Sequence, residues 1–483
     1  MIISALKKRK VYLRARIYIM ALIKSISGIR GTIGGKQGTS LTPLDVVKFT
    51  TAYGAWIAQQ GNNKKIIIGR DGRISGLMVR DLVASTLQSV GCNVIDLGLS
   101  TTPTVEMAVI KEKAAGGIII TASHNPKEWN ALKLLNNKGE FLSGEDGNWI
   151  LEYAAKGEHI YADINKVGTV VADDTYIQKH IDLILAHPLV DITAIKKMNY
   201  KVVVDPVNST GAISVPLLLN ALGVADVIVI NEEVTGKFAH NPEPLPENLN
   251  ELCATVKKKN ATLGIAVDPD VDRLCFVCED GSLFGEEYTL VAIADYVLSH
   301  KKGNTVSNLS STRALKDVTE KRGGKYYPSA VGEVNVVRKM KEVDAVIGGE
   351  GNGGVIIPEM HYGRDALIGV ALFLTHLAKS GKTVKALRST YPDYFISKNK
   401  IELDEEVNVK DIFEQIKKKY SKQPINTEDG LRIDFDNDWV HLRTSNTEPI
   451  IRIYSESLTE TTANNIAKQI MKDIREAMLT KLD

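Results

Sequence analysis

The stretch Ile118-Ile119-Ile120-Thr121-Ala122-Ser123-His124-Asn125-Pro126 joins an apolar strand directly to a small polar turn. Strands of this kind alternate with amphipathic helices through most of the chain, which is the pattern of α/β layers. Around the turn, the spacing predicts helices at about 43–61, 77–90 and 104–113 and strands at about 66–68 and 93–97. The turn therefore belongs to one α/β unit.

Two further stretches of the chain repeat this alternation. The second has predicted strands at 201–205, 227–230 and 263–267. The third has predicted strands at 305–309 and 345–347 and helices at 287–298, 312–321 and 333–341. From about Tyr394 the pattern changes to a strand, a helix over 409–420, short strands at 431–434, 439–442 and 450–454, and a last helix from about Thr459. The sequence therefore predicts an α/β fold of three similar α/β domains with mixed sheets, followed by a C-terminal α+β domain.

The length of the chain agrees with this organisation. At roughly 150 residues per domain, its 483 residues make three or four domains. We place the boundaries at 20–172, 173–285, 286–393 and 394–483. Residues 1–19 are basic but lack the apolar core of a secretory signal, so we interpret them as an N-terminal extension.

Composition and charge exclude several classes of function. With 44% hydrophobic and 24% charged residues, the chain is in the ordinary globular range. Lys and Arg number 60 and Asp and Glu 58, which leaves a net charge of +2. A chain with so little net charge has no global field for a nucleic acid or an anionic membrane, and we expect neither as a partner. No segment reaches the roughly 18 uncharged apolar residues of a membrane span.

Four cysteines are too few to crosslink a chain of this length, and we expect a reducing, cytoplasmic compartment. Cys275 and Cys278 form a CxxC pattern within an apolar run that is predicted to be a strand. A spacing of three on a strand sends the two thiols to opposite faces. We interpret both as core residues and not as a metal or redox pair.

The first of four polar loops contains Ser123. A serine flanked by small residues at the end of a strand can act as a nucleophile or carry a phosphoryl group. Lys133, ten residues further on, could serve as an acid or base. An ordinary turn is the alternative, because Ser, Asn and Pro are common turn residues.

The second loop, Asp268-Pro269-Asp270-Val271-Asp272-Arg273, follows the predicted strand at 263–267. Three carboxylates at alternate positions form a hard oxygen site that suits Mg²⁺. Arg273 would direct its donors at a phosphate beside the metal. A solvated acidic turn is the alternative.

The third and fourth loops have the composition of ligand-binding turns. In Gly348-Gly349-Glu350-Gly351-Asn352-Gly353-Gly354, Glu350 and Asn352 offer the groups that bind paired sugar hydroxyls. In Arg443-Thr444-Ser445-Asn446-Thr447-Glu448-Pro449, with Arg452 downstream, hydroxyls, an amide and arginines suggest a phosphate site. A flexible glycine turn and a polar turn between two strands are the respective alternatives.

Together the four loops resemble those of the α-D-phosphohexomutase family, in the family order and from about Ser25 to the C-terminus. Other matching motifs are Ser27-Gly28-Ile29-Arg30-Gly31, Gly69-Arg70-Asp71-Gly72-Arg73-Ile74-Ser75 and Asn241-Pro242-Glu243-Pro244. The resemblance implies that the four domains surround a central cleft. It also implies a reaction in which a phosphoryl group moves between the 6- and 1-positions of a hexose phosphate through a phosphoserine and a hexose 1,6-bisphosphate.

The resemblance assigns a role to each candidate residue. Ser123 is the phosphoserine, and it holds Mg²⁺ with Asp268, Asp270 and Asp272. Arg30 and His124 contact the transferring phosphoryl group, and Lys133 is a general acid/base. The substrate-binding residues are Arg273, Glu350, Asn352, Arg443, Ser445, Asn446, Thr447 and Arg452.

Two departures from the family pattern affect the third loop. Many relatives have Ser where Asn352 stands and His where Gly354 stands. The missing imidazole leaves one proton-transfer role without an owner. His361 is our candidate replacement, with a surface histidine as the alternative.

The third loop and the start of the chain are most like the phosphoglucosamine mutase branch, which favours conversion of glucosamine 6-phosphate to glucosamine 1-phosphate. A phosphoglucomutase or phosphomannomutase of broad specificity is the alternative within the family. A rival from another class is an aspartyl-nucleophile phosphatase, since Asp268 and Asp270 also fit the DxD pattern of those enzymes. A non-catalytic sugar-phosphate binding protein is the third possibility.

Overall fold

The computed structural model describes residues 21–25, 28–157, 159–403, 408–444 and 449–479. The N-terminal extension expected at 1–19 lies outside this part of the chain. Within it, four sheets follow one another along the sequence, three in α/β layers and one in an α+β unit. The fold class predicted from the sequence is therefore confirmed.

The first sheet has seven strands in the order β1-β2-β6-β5-β3-β4-β7. Its strands are β1 (Leu22–Ser25), β2 (Gly28–Thr32), β3 (Lys65–Arg70), β4 (Asn93–Leu99), β5 (Gly116–Ile120), β6 (Trp129–Leu135) and β7 (Val170–Ala172). Its helices are α1 (Pro43–Gln60), α2 (Gly76–Ser89), α3 (Thr102–Lys111) and α4 (Gly144–Lys156). Helix α1 begins where Thr42 and Asp45 cap each other's backbone N–H groups.

The second sheet has the order β11-β10-β8-β9. Its strands are β8 (Lys201–Asp205), β9 (Asp226–Val229), β10 (Leu263–Val267) and β11 (Leu274–Cys278), and its helices are α5 (Tyr176–Leu185), α6 (Ile192–Lys197), α7 (Gly211–Ala221) and α8 (Asn250–Lys259). Cys275 and Cys278 on β11 are free, buried thiols that belong to different hydrophobic clusters. They point to opposite faces of the strand, as the sequence predicted.

The third sheet has the order β13-β12-β14-β15. Its strands are β12 (Asn304–Asn308), β13 (Tyr326–Ser329), β14 (Ala345–Glu350) and β15 (Gly354–Ile356). Its helices are α9 (Glu286–His300), α10 (Ala314–Lys321), α11 (Glu333–Glu342), α12 (Ala366–Ser380) and α13 (Val384–Arg388).

One strand arrangement occurs in all three of these sheets. Two parallel strands are followed by a third parallel strand, which turns into an antiparallel partner: β5 into β6, β10 into β11 and β14 into β15. The loops with Ser123, the three aspartates and Glu350 lie at these three turns. Each of the three α/β units expected from the sequence thus carries its candidate functional loop at the same place, directly after a buried strand.

The fourth sheet is antiparallel, in the order β16-β20-β19-β18-β17. Its strands are β16 (Phe395–Glu402), β17 (Ile425–Asn426), β18 (Leu431–Asp434), β19 (Trp439–Thr444) and β20 (Ile450–Ser457), with helices α14 (Val409–Lys419) and α15 (Glu460–Leu479). A hydrophobic core of its own joins the helices to the sheet. The second and third units instead share one hydrophobic core, so the two units are packed directly against each other. None of the helices in the described ranges is long and apolar enough to cross a membrane.

Candidate active site

The serine loop begins at the end of β5. Ser123 is 8% exposed, and its backbone has a φ of 47°, a left-handed conformation that is strained for a residue with a side chain. Its N–H donates to Thr121 Oγ1 at 2.9 Å. The surrounding contacts hold the loop in this conformation, which presents the hydroxyl to the neighbouring unit.

A buried arginine that the sequence analysis left without a role fixes this loop. The guanidinium of Arg73 donates to the backbone carbonyls of Ser123, Asn125, Pro126 and Trp129. Its Nε lies 3.0 Å from Asp71 Oδ2, which also accepts from Thr121 Oγ1 at 2.7 Å. The five donors of an arginine suit such a set of acceptors. Arg73 and Asp71 both belong to the 69–75 motif noted in the sequence, but nothing in that motif showed that their side chains contact the serine loop.

The acidic loop joins β10 to β11, and its three carboxylates are completely buried. Oxygen atoms of Asp268, Asp270 and Asp272 lie within 4.8 Å of one another. Asp268 Oδ1 accepts the backbone N–H groups of Asp272 and Arg273 at 3.1 Å each. A solvated acidic turn, the alternative considered above, does not describe these buried groups.

The serine and acidic loops meet across the boundary between the first two units. Ser123 Oγ donates to Asp268 Oδ2 at 2.7 Å. Lys133, on β6, places its Nζ 2.7 Å from Asp270 Oδ2 and 3.3 Å from Asp272 Oδ2. The structure therefore brings together the predicted phosphoserine, the predicted metal ligands and the predicted acid/base.

The electrostatics of this cluster set the protonation of its members. Burial, with Asp272 and Asp270 nearby, raises the pKa of Asp268 well above its usual range. Burial alone would also raise the pKa of Asp272, but Arg364, Lys133 and Arg273 outweigh it and lower that pKa. Burial would lower the pKa of Lys133, and Asp270 and Asp272 raise it instead. Lys133 is thus held as a protonated ammonium group.

The donor set of the acidic loop fits a divalent cation. Asp270 Oδ1 and Asp272 Oδ1 are buried and have no hydrogen-bond partner among the described residues. An unsatisfied buried acceptor costs about 1–3 kcal/mol. A cation between the carboxylates would satisfy these oxygens, and carboxylate oxygens are the ligands that Mg²⁺ prefers.

Arginines lie near the serine loop, since the charges of Arg273 and Arg30 act on His124, the neighbour of the serine. Burial lowers the pKa of Arg30, and the nearby charges of Arg273 and Arg452 lower it further. Arg30 Nε is buried without a partner in the described structure. Arg273 pairs with Glu243 at 2.7 Å. Three guanidinium groups from different parts of the chain are therefore close enough to affect one another, and guanidinium groups are favoured ligands of phosphate.

His124 lies beside the serine, with its Nδ1 3.5 Å from Ser123 Oγ. Burial, followed by the charge of Arg273, lowers the pKa of His124 well below its usual value. The imidazole is therefore neutral at physiological pH, and it can accept or donate a hydrogen bond without adding charge.

The predicted phosphate loop of the fourth unit is described in part. Arg443 and Arg452 are opposite each other on β19 and β20. Arg443 Nε lies 2.7 Å from Asp429 Oδ2. Ser445, Asn446 and Thr447 lie outside the described residues.

The glycine-rich loop holds Glu350 at the end of β14, where its side chain is buried. Glu350 Oε1 accepts from Asn308 Nδ2 at 2.9 Å and from Gly332 N–H at 3.1 Å. Asn352 lies beside it, with its Nδ2 3.4 Å from Glu350 Oε2. The two residues predicted to bind sugar hydroxyls are therefore neighbours.

His361 is not the surface residue that the alternative interpretation described. Its side chain is 1% exposed and lies between Glu106 Oε2 at 3.2 Å and Asp365 Oδ2 at 3.4 Å. His180 Nε2 approaches the same Asp365 oxygen at 3.0 Å. His361 thus belongs to a buried network of two imidazoles and two carboxylates at the junction of the first three units.

A buried serine hydroxyl that is hydrogen-bonded to one of three clustered carboxylates, with arginines nearby, fits a phosphoryl-transfer enzyme. Four family models match the chain in order: the phosphoglucomutase/phosphomannomutase alpha/beta/alpha domains I, II and III at residues 22–160, 176–281 and 285–394, and the C-terminal domain at 400–473. The chain belongs to the phosphoglucomutase/phosphomannomutase family.

Similar proteins match over nearly their whole length. A phosphoglucomutase/phosphomannomutase of Thermococcus kodakarensis is 37% identical over 455 residues, which cover 93% of this chain and 98% of the relative. A phosphoglucosamine/phosphogalactosamine mutase of Sulfurisphaera tokodaii is 33% identical over 462 residues, 94% and 99% of the two chains. The crystal structure of a phosphoglucomutase/phosphomannomutase family protein from Burkholderia thailandensis shares the fold, with a TM-score of 0.82 at 24% identity over 94% and 97% of the chains.

Proposed function

We propose that this protein moves a phosphoryl group between the 6- and 1-positions of a hexose phosphate. The observation that supports the proposal most directly is Ser123 Oγ, 2.7 Å from Asp268 and close to the two aspartates that bind Lys133. A phosphoryl group on Ser123 would pass to a free hydroxyl of the sugar and give a hexose 1,6-bisphosphate. The other phosphate of this intermediate would then return to Ser123.

Phosphoryl transfer depends on positioning and charge neutralisation. Ser123, Asp268, Asp270 and Asp272 would hold Mg²⁺, which when bound neutralises charge on the transferring group. Lys133 would hold or release a proton at its Nζ, next to the reacting hydroxyl. Arg30 and His124 would contact the transferring phosphoryl group.

The second phosphate of the ligand needs its own cations. Arg273 and Arg452 approach the same region as Arg30. Arg452, Arg443 and the loop residues Ser445, Asn446 and Thr447 would hold the phosphate that does not react, whereas Arg273 would direct its donors at the phosphate beside the metal. Glu350 and Asn352 would bind sugar hydroxyls between the two phosphate sites.

Among sugars, we infer a preference for glucosamine 6-phosphate. The third loop resembles the phosphoglucosamine mutase branch, and one close relative is named a phosphoglucosamine/phosphogalactosamine mutase. The alternative is broad phosphoglucomutase/phosphomannomutase activity, which the name of the other relative supports. A coupled assay with glucosamine, glucose and mannose 6-phosphates decides between them. If kcat/KM is as high for glucose or mannose 6-phosphate, the preference is wrong.

The substitution Ser123→Ala tests the phosphoserine. Loss of the nucleophile should lower kcat by about 10³-fold or more, because no other group can carry the phosphoryl group. The exposed Ser282 provides the matched control, Ser282→Ala, which should keep full activity. An Ser123→Ala protein that still interconverts the 6- and 1-phosphates at the original rate would refute the carrier role.

The aspartyl-nucleophile phosphatase makes a different covalent intermediate. Both oxygens of Asp268 are engaged, one by Ser123 and the other by two backbone N–H groups, which disfavours Asp268 as a nucleophile. Trapping the phosphoenzyme separates the two. We expect an acid-stable phosphoserine, whereas a hydroxylamine-labile acyl phosphate would support the phosphatase.

The proposed location is the cytoplasm. All four cysteines are free thiols, and three of them are buried. A chain that keeps its thiols reduced suits a reducing compartment.

A further inference from the structure

Gly354 opens β15 and is in direct contact with the side chain of Arg364. A Cβ atom built at position 354 would lie 2.3 Å from Arg364 Cδ and 3.0 Å from Arg364 Cγ. These distances are shorter than any stable contact between carbon atoms. Gly354 is not among the glycines with positive φ, so the restriction concerns space and not backbone conformation. A side chain at 354 and Arg364 in its present position exclude each other.

The space beside Gly354 lets Arg364 reach three carboxylates. Its NH2 lies 2.7 Å from Asp272, its NH1 2.9 Å from Glu350 and its Nε 3.2 Å from Glu333. Only 7% of the residue is exposed. A planar guanidinium group with donors on several edges can bridge such a set, and an ammonium group cannot do so in the same geometry.

These partners belong to different functional loops. Asp272 is on the acidic loop of the second unit, and Glu350 is on the glycine-rich loop of the third. Arg364 is therefore a direct electrostatic link between the proposed metal site and the proposed sugar site. If Arg364 is removed, both Asp272 and Glu350 stay buried without their cationic partner, which is energetically costly.

We propose that Arg364 is a positioning residue that couples the sugar loop to the acidic loop, in the space that a side chain at 354 would otherwise fill. This inference rests on the proposed function. A guanidinium group stays protonated at working pH, so Arg364 supplies a fixed charge and does not replace a proton-transferring imidazole.

The coupling has a measurable consequence on both sides. Without Arg364, the acidic loop loses the guanidinium group that lies 2.7 Å from Asp272 Oδ2. Glu350 loses the donor that orients its Oε2 atom. The affinity for Mg²⁺ and the KM for the sugar phosphate should therefore change together, although Arg364 is assigned to neither binding set.

Two variants test this role. Arg364→Met should change the Mg²⁺ affinity of the metal-free protein, measured by calorimetry, by about 10-fold, and should lower kcat/KM by about 10–100-fold. Arg364→Lys keeps the charge and should recover part of both. Arg322→Met, which removes a partly exposed arginine paired with Asp295, is the matched control and should change neither.

A merely structural role for Arg364 predicts another result. In that case Arg364→Met would lower the melting temperature while Mg²⁺ affinity and KM stay at their original values, and the proposal would be overturned. Calorimetry does not depend on turnover. Normal Mg²⁺ binding with no mutase activity in the unmodified protein would count against the proposed function, and a change of Mg²⁺ affinity in Arg364→Met would still support the coupling.

A double-mutant cycle tests whether positions 354 and 364 share one space. Gly354→Ala should lower the urea midpoint of unfolding when Arg364 is present. The same substitution should have a smaller effect in the Arg364→Ala background, because the colliding side chain is gone. Additive effects would show that the two positions are independent. The claim that Arg364 occupies the space of a side chain at 354 would then be wrong.

Discussion

Two clusters of buried acidic and cationic side chains lie where the units of this molecule meet, and they differ in the balance of charge. In the acidic loop, Asp270 and Asp272 share Lys133, Asp272 also pairs with Arg364, and one oxygen of each has no hydrogen-bond partner within the described residues. In the second cluster, Glu106 and Asp365 are matched by the imidazoles of His180 and His361.

Both clusters have three candidate ligand atoms within 4.8 Å of one another, so proximity does not distinguish them. The difference is in the acceptors. Asp365 Oδ2 lies between two imidazoles, and its Oδ1 accepts the first N–H groups of α12. The unpaired oxygens of the acidic loop indicate a place for a cation. In the second cluster, Glu106 Oε2 and His361 Nδ1 also lack a hydrogen bond of good geometry, but they lie 3.2 Å from each other as an ion pair, so this cluster pairs its own groups.

The largest effect that this comparison predicts is on turnover. Asp270→Asn removes one negative charge from the acidic loop, and we expect kcat/KM to fall by about 10²–10³-fold, because charge stabilisation in the cleft is lost. The melting temperature should change little, since relief of the repulsion among three close carboxylates opposes the loss of the Lys133–Asp270 ion pair. Activity assays and thermal melts check both statements.

The control is Asp226→Asn, which changes a more exposed aspartate on the same unit. It should leave activity unchanged. An Asp270→Asn protein with full activity and a lowered melting temperature would reverse the roles given to the two clusters.

A substitution in the second cluster should lower stability more than activity, the opposite of the result expected for the acidic loop. His361→Ala leaves Glu106 and Asp365 buried with one cation fewer, and removing one partner of a buried ion pair costs about 3–5 kcal/mol. We expect a clear loss of stability with a change in kcat of less than 10-fold. Urea unfolding and steady-state kinetics measure the two quantities.

His300→Ala, which removes an exposed histidine of α9, controls for the loss of an imidazole. If His361→Ala loses more than 100-fold in kcat without a loss of stability, His361 carries the proton-transfer role that the sequence analysis suggested for it.

Much of the fold and site could be predicted because each key group directly follows an apolar strand. Ser123, Asp268 and Glu350 all lie at or just beyond the end of a buried strand, where periodicity and composition change abruptly. The carboxyl ends of the strands in an α/β layer are where loops collect functional groups. Local sequence is therefore enough to find these residues.

The cations that organise the site could not be assigned in the same way. Arg364 and Asp272 are 92 positions apart, and Arg73 reaches the serine loop about 50 positions further along. The residues next to a single arginine in a loop do not predict which carboxylate or carbonyl group its guanidinium will bind. Tertiary packing decides these partners, within the first unit for Arg73 and between units for Arg364, and a single sequence does not record it.

The smallest predicted effect is a dependence of stability on pH. Burial raises the pKa of Glu106 to about 8, although His361 opposes it. Burial alone would lower the pKa of His361, but Asp365 and Glu106 raise it to about 10. Both folded-state values are higher than those of the unfolded chain, so the folded protein holds protons that the unfolded chain releases, and stability falls as pH rises.

Between about pH 6.5 and 8 we expect the free energy of unfolding to fall by about 3 kcal/mol through these two groups together. Glu106→Gln removes one of the two titrations and should flatten this slope, whereas Glu152→Gln, at an exposed position of α4, should leave it unchanged. Urea unfolding at a series of pH values measures the slope. A Glu106→Gln protein with the original slope would show that Glu106 does not release a proton on unfolding, and the interpretation of the second cluster would be wrong.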